Sequence, residues 1–205
     1  MNSRGEFHSN VFINCPFDDD YTQLLRPLLF SAVRAGLTVR IASETFDSGV
    51  ARINRICKLI RESKYSVHDL SRLRASFKGE IHRMNMPFEL GLDIGCRVFS
   101  RGIQSQKRCL ILETEQYEYQ KALSDLSNSD IKRHLNKPEE VVRQVRNWFV
   151  EVEVGKLPSA TVMWKEFNAF TANFYHEREA EGFRDKDLEM MPVPEYVGYI
   201  KDWLG

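Results

Sequence analysis

Apolar positions in the first half of the chain alternate between two periods. Short continuous runs occur at Val11, Phe12 and Ile13, at residues 37–42, at residues 65–67 and at residues 108–112, each followed by polar or acidic residues. Runs of this length bounded by turn chemistry predict buried strands of a parallel sheet. Between them the period lengthens. Leu24, Leu25, Leu28, Ala32 and Val33 recur at helical spacing, with Gly36 as the stop and Pro27 expected to kink the helix. Ile53, Ile56, Cys57 and Ile60 form the cleanest apolar stripe, opposite Arg52, Arg55, Lys58 and Arg61. A third helix is expected over residues 86–97. The order β-α-β-α-β-α-β predicts an α/β fold around a parallel sheet of four to five strands, with right-handed crossovers.

After Glu113 the pattern loosens. Residues 116–126 read as a possible helix, and residues 131–135 as a short fifth strand or a loop. Pro138, Glu139 and Glu140 mark a helix start, and Val141, Val145, Trp148 and Val152 give that helix an apolar face. A breaker at Leu157, Pro158 and Ser159 precedes a helix carrying Met163, Phe167, Phe170 and Phe174, a stripe expected in the core or at an oligomer contact. A last helix spans residues 194–203. The expected organisation is a flexible N-terminus at 1–9, an α/β domain at 10–155, and a helical C-terminal extension at 156–205 that packs on the domain or on an oligomer partner.

Composition narrows the class. The chain has 205 residues, of which 42% are hydrophobic and 11% aromatic, enough for a real core. Lys plus Arg and Asp plus Glu balance at 29 each, so no charge footprint calls for nucleic acid or an anionic membrane. Cys15, Cys57, Cys96 and Cys109 form no C-x-x-C pair, which argues against zinc and redox dithiols and for reduced thiols. The first ten residues have no apolar segment of signal-peptide type, and no apolar run is long enough to span a membrane. A cytoplasmic protein is expected.

Candidate chemistry gathers where strands end and helices begin, the ligand crevice of open α/β sheets. Asp69 closes the third strand, and Glu89 opens the helix that follows the connection over 73–83, a length that suggests a lid or a mobile segment. Glu89 lies between Phe88 and Leu90 behind a proline start, an apolar setting unlike that of an ordinary solvated glutamate. A carboxylate there can stabilise or attack an oxocarbenium-like sugar. Asp69 can equally cap the next turn. His68 alternates with Asp69, so one faces the crevice and the other a helix layer. Ser71 and Arg72 suit ribose hydroxyls or phosphate, or are loop residues. Asn14, Cys15, Pro16, Phe17 and Asp18 form the first wall of the crevice, and Asn85 and Met86 border it at the helix start. Asp18, Asp19 and Asp20 invite a Mg²⁺ reading and resemble the acids of two-component receiver domains. They lie beyond a proline, however, and no Lys-Pro follows a fifth strand, so helix capping accounts for Asp19 and Asp20 more simply. Cys15 has no evident His partner for a nucleophilic role. No dinucleotide fingerprint or P-loop is present.

Together these residues resemble two flavodoxin-like groups, the TIR domains and the nucleoside 2-deoxyribosyltransferases. Ile60, Arg61, Glu62 and Ser63 match the I-x-x-S that precedes the third strand of TIR domains, and Glu89 and Leu90 match their catalytic Glu-Leu. Asp47, Ser48 and Gly49 occupy the place of the TIR loop between the second strand and second helix. Asp69 with Glu89, Leu90 and Gly91 matches the transferase pattern of an Asp after strand three and a nucleophilic Glu in Glu-Leu-Gly. The blocks I-N-C-P-F-D-D-D-Y, H-D-L-S-R and N-M-P-F-E-L-G also resemble a set of uncharacterised bacterial proteins. The chain departs in lacking the Gly-Thr before the transferase glutamate and the Trp-Cys before the TIR one, where Met86, Pro87 and Phe88 stand.

The resemblance covers about residues 10–113 and implies a flavodoxin-like three-layer fold. It also implies a nucleotide N-glycosidase, with NAD as first substrate and a (deoxy)nucleoside monophosphate second. Glu89 and Asp69 are then catalytic, and Asn14, Cys15, Pro16, Phe17, Asp18, Ser48, His68, Ser71, Arg72, Asn85 and Met86 bind ligand. No metal or separate cofactor is called for, homo-oligomers are common in such proteins, and bacterial antiphage defence is a natural setting. The alternatives are hydrolysis or transfer on other nucleosides, a nucleotide sensor without turnover, and a Mg²⁺-dependent phosphoacceptor at Asp18 or Asp69.

Overall fold

The computed structural model describes residues 3–44, 47–72, 84–115, 119–121, 123–126 and 130–205. The connection expected as a lid, 73–83, lies outside the described residues, as do residues 45–46 of the second connection. Five strands, β1 (Asn10–Asn14), β2 (Thr38–Ile41), β3 (Tyr65–Asp69), β4 (Arg108–Glu113) and β5 (Ile131–Arg133), form one parallel sheet in the order β2-β1-β3-β4-β5. This is the flavodoxin order, whose topological switch lies between β1 and β3. Residues 131–133 pair with β4, so the fifth strand is real, although shorter than 131–135. The expected helix at 116–126 is represented among the described residues only by two single turns of 3-10 helix, Tyr119–Lys121 and Ser124–Leu126.

The helices are α1 (Ser3–Ser9), α2 (Thr22–Arg34), α3 (Arg52–Arg61), α4 (Asn85–Phe99), α5 (Pro138–Glu151), α6 (Ala160–Ala180), α7 (Asp185–Glu189) and α8 (Val193–Leu204). Of the terminal stretch expected at 1–9, residues 3–9 are described. Residues 3–9 are helical, Phe7 is buried, and its carbonyl accepts the Lys64 amide at the entry to β3. Helix α2 runs through Pro27 without a break and ends at Gly36, whose φ of +76° is a conformation that glycine adopts at little cost. Ser159 caps α6 by accepting the Val162 amide.

Strand alternation divides the interior. Val11, Ile13, Tyr65, Val67, Leu110 and Leu112 face one way and pack with α2 and α5. Phe12 faces the other way toward Ile56, Leu59 and Ile60 of α3, and Ile111 packs with Leu90 of α4. Outside α2 and α5 the C-terminal helices add a further layer. Phe30 of α2 meets Phe167 and Phe170 of α6 and Trp203 of α8, with ring centroids 5.6, 5.7 and 6.1 Å apart. The aromatic stripe is thus core, and it belongs to the same cluster as the sheet. Arg26 pins this layer through hydrogen bonds to the Tyr175 hydroxyl and the Leu188 carbonyl, lying 4.9 Å over the Tyr196 ring.

Because the extension shares the main core, Phe170→Ala is expected to lower the unfolding free energy by about 3–5 kcal/mol while the guanidinium transition stays single. A separate early transition for the C-terminal helices would contradict a shared core.

Candidate functional site

The carboxyl ends of the central strands all finish in buried polar residues, Asn14 on β1, Asp69 on β3 and Glu113 on β4, with His134 just after β5. The pleat sends Asn14 and His68 toward the α4 layer and Asp69 toward the α2 side. The two residues expected to diverge, His68 and Asp69, do so, and each has its own network.

Asp69 is 0% exposed. Tyr21, in the turn before α2, donates its hydroxyl to Oδ2 at 2.6 Å, and the backbone and side chain of Ser71 donate to Oδ1. His134 Nε2 lies 3.1 Å from Oδ2, too bent for a regular hydrogen bond, while its Nδ1 accepts the Asn136 amide. Burial disfavours charge on Asp69, but His134, Ser71 and Tyr21 outweigh it and hold the carboxyl below its usual range. Tyr21 responds in the opposite direction, raised by burial and by Asp69, so it remains a phenol donor. The turn carrying His134 is strained, since Leu135 and Asn136 both have positive φ, 56° and 52°. It is held by the Leu135 amide on the Thr114 carbonyl and the His134 amide on the Glu113 carbonyl. Sequence reasoning passed over Tyr21 and His134.

On the other side, Asn14 Nδ2 contacts both His68 Nδ1 and the Met86 carbonyl at 2.9 Å. His68 Nε2 lies 3.1 Å from Asp93 Oδ2, which also accepts from Ser66. Lys107, buried at its head, pairs with Asp93 Oδ1 at 2.9 Å without hydrogen-bond alignment and donates to the Ile60 and Ser63 carbonyls. Burial opposes charge on His68, and Cys109 and Asp93 outweigh it, pushing the ring up to about 9. The hydrogen bonds pull the other way. The Met86 carbonyl only accepts, so Asn14 must present Nδ2 to it and to His68 alike. That leaves Nδ1 bare and the proton on Nε2, facing Asp93. The contacts select the neutral ring. Asp93 is the fixed anion, brought down to about 2 by His68, Lys107 and Ser66 against the cost of burial. His68, Asp93 and Cys109 bring ligand atoms within 4.8 Å of one another, the only such trio among the described residues. With Lys107 on Asp93, that trio is a closed polar network rather than an open cation cradle.

Glu89 differs from all of these. It lies early in α4, is 4% exposed, and has no hydrogen bond or ion pair to any described residue. Its carboxyl group is less enclosed than that of Asp69. Burial raises it above the usual range, and the nearby charge of Arg52 only partly offsets this. Cys15, fully buried just past β1, has its thiol pushed up by burial and then by Asp69 and Glu89, which places both carboxylates around the β1–β3 switch. Pro16 is buried, Phe17 is partly exposed, and Arg72 reaches Asp18 at 4.0 Å. Asn85 is exposed at the start of α4, and Met86 contributes its carbonyl to Asn14. Ser48 is exposed in its turn and makes no hydrogen bond to the described residues of this group. A cavity of about 160 Å³ beside the first wall is lined by Pro16, Phe17, Asp18, Met190 and Met191 among others, so the C-terminal extension borders the crevice. Larger hollows of about 400 and 420 Å³ lie on outer helix faces away from these carboxylates.

The phosphoacceptor alternative fares poorly at Asp69, where both oxygens are engaged and none is exposed. No protein-family model and no curated protein matches this chain. No helix among the described residues is long and apolar enough to cross a membrane.

Asp93→Asn would leave Lys107 as an uncompensated buried charge and is expected to cost about 3–5 kcal/mol in urea unfolding. The depressed Asp93 carboxyl also fixes the sign of a pH effect. Its stabilisation is present above the ordinary value of 3.8 and is lost as pH falls toward about 2. Unfolding midpoints followed from pH 5 to 2 should fall in the wild type, and less in Asp93→Asn.

Proposed function

We propose that the chain cleaves the N-glycosidic bond of a nucleotide, with NAD as first substrate and a (deoxy)nucleoside monophosphate as second. Glu89 is the carboxylate that stabilises or traps the ribosyl cation. The observation that carries this reading is the state of Glu89, a buried carboxylate at the topological switch of the sheet with no side-chain hydrogen bond or ion pair to any described residue. Asp69, Asp93 and Glu113 are each held by donors, whereas among the described residues none occupies the Glu89 lone pairs.

In the proposed reaction the C1′–N bond breaks and its electron pair leaves with the base. For a pyridinium base this converts a cation into a neutral leaving group. Positive charge develops at C1′ and the ring oxygen, where the Glu89 carboxylate offsets it. Water then adds its oxygen to C1′ and gives up a proton to Glu89 or to solvent. Asp69 serves as a positioning residue, holding Tyr21, Ser71 and His134 rather than meeting the ribose directly. A nucleotide-binding module without turnover is the second reading. It draws support from Asp69 being sealed in, which leaves one open carboxylate instead of two.

Concentrated protein incubated with NAD and a panel of nucleoside monophosphates, with products resolved by chromatography, tests the choice. Release of free base that drops at least about a hundredfold in Glu89→Gln supports the enzyme. Retained binding without release by the wild type moves the assignment to the sensor.

Stability gives a second readout. An acid raised in the folded state binds its proton more tightly there, so its contribution declines as pH rises above the ordinary glutamate value of 4.5. Glu89→Gln is therefore expected to melt higher than wild type at pH 7, with the gain vanishing near pH 4. A lower melting point at pH 7 would mean that Glu89 is a structural residue.

A further inference from the structure

Helix α4 is charged on the inside and apolar on the outside. Its three charged residues are Glu89, Asp93 and Arg97, and the two acids are buried. Its solvent side carries Phe88 at 58%, Val98 at 61% and Phe99 at 87% exposure, with Met84 exposed just before the helix. Large apolar side chains exposed singly need no explanation, but three on one helix and a fourth at its N-cap, with its carboxylates turned inward, do. Phe88, Gly91, Gly95 and Phe99 recur at i, i+3, i+7 and i+11, which sets them on one line along the helix. A side chain at Gly91 would meet nothing within 4 Å, and one at Gly95 would touch only the Phe99 ring, at 3.7 Å. The line therefore consists of a shallow glycine notch with a phenylalanine at each end.

We propose that this face docks against the same face of a second copy of the chain, with the two α4 helices crossing antiparallel at the Gly91–Gly95 notch. Three observations select that occupant. The surface is self-complementary, because a two-fold crossing about Asp93 sets Phe88 of one copy beside Val98 and Phe99 of the other, as an isologous interface requires. The notch lets the backbones approach closely. The chain is neutral overall and the face holds no acid, so copies meet without a like-charge barrier, and no charged or polar partner is called for. Covering the four side chains on both copies removes roughly 1,000 Å² of surface, above incidental contacts and at the low end of specific interfaces. This association stands apart from the chemistry of Glu89 and holds whether or not the chain turns over a nucleotide.

Sedimentation equilibrium of the full chain across low to several hundred micromolar is the test. The expected result is a mass rising from 23.9 kDa toward twice that value. Phe99→Glu and Gly91→Arg should each remain monomeric throughout. Both positions are open, so circular-dichroism melts should match wild type and separate lost association from lost folding. A wild type that stays monomeric overturns the proposal and gives the face to some other partner. A dimer that persists in either variant overturns it as well, because the contact then lies elsewhere.

Discussion

The clamp on Asp93 is the interaction on which the rest of the site depends. Helix α4 docks through Leu90 and its apolar neighbours, and it also buries carboxylates on its inner face that polar contacts must hold. Lys107 comes from the start of β4, Ser66 and His68 from β3, and all converge on one carboxylate. Asn14 of β1 then reaches the Met86 carbonyl at the helix entry. Three segments distant in sequence thereby set the height and rotation of α4. Glu89, one turn before Asp93, inherits its position from that clamp. Such a network is stabilising only when complete, since a buried ammonium or carboxylate left alone costs several kcal/mol.

Two chemistries thus share the end of one sheet with opposite logic. Asp69 is saturated by Tyr21, Ser71 and His134 and stays ionised within a rigid frame. Glu89 is desolvated and has no side-chain hydrogen bond to any described residue, so burial disfavours its charge. The strained turn at Leu135 and Asn136 belongs to the frame, because it sets the His134 ring against Asp69.

The sheet was legible in the sequence because β1 and β3, buried along their whole length, read as short apolar runs, and because strand-like and helical stretches alternate between residues 11 and 112. The fifth strand was ambiguous because only Ile131 of its three residues is buried, which leaves no run to detect. The pair Asp69 and Glu89 could be read from position, one at a strand end and one at a helix start. Tyr21 and His134 could not, since their roles come from long-range contacts spanning 48 and 65 residues. The hidden ion pair was equally silent. Lys107 precedes a strand like any surface lysine, and nothing local says that its head turns inward to Asp93.

The outer helical layer changes the order in which this protein can be made. Nearly all of α2 is buried, with Leu24, Leu28 and Phe30 facing partners on two sides. One set of partners, the strands and α5, leaves the ribosome early, but Phe170, Tyr196 and Ile200 are synthesised after all of them. Until α6, α7 and α8 emerge, α2 carries an uncovered aromatic surface, and the Arg26 guanidinium lacks Tyr175 and Leu188. The nascent chain therefore passes through a long interval with its sheet formed and one side still adhesive. The first wall of the crevice, resting against Met190 and Met191, is among the last features to be completed.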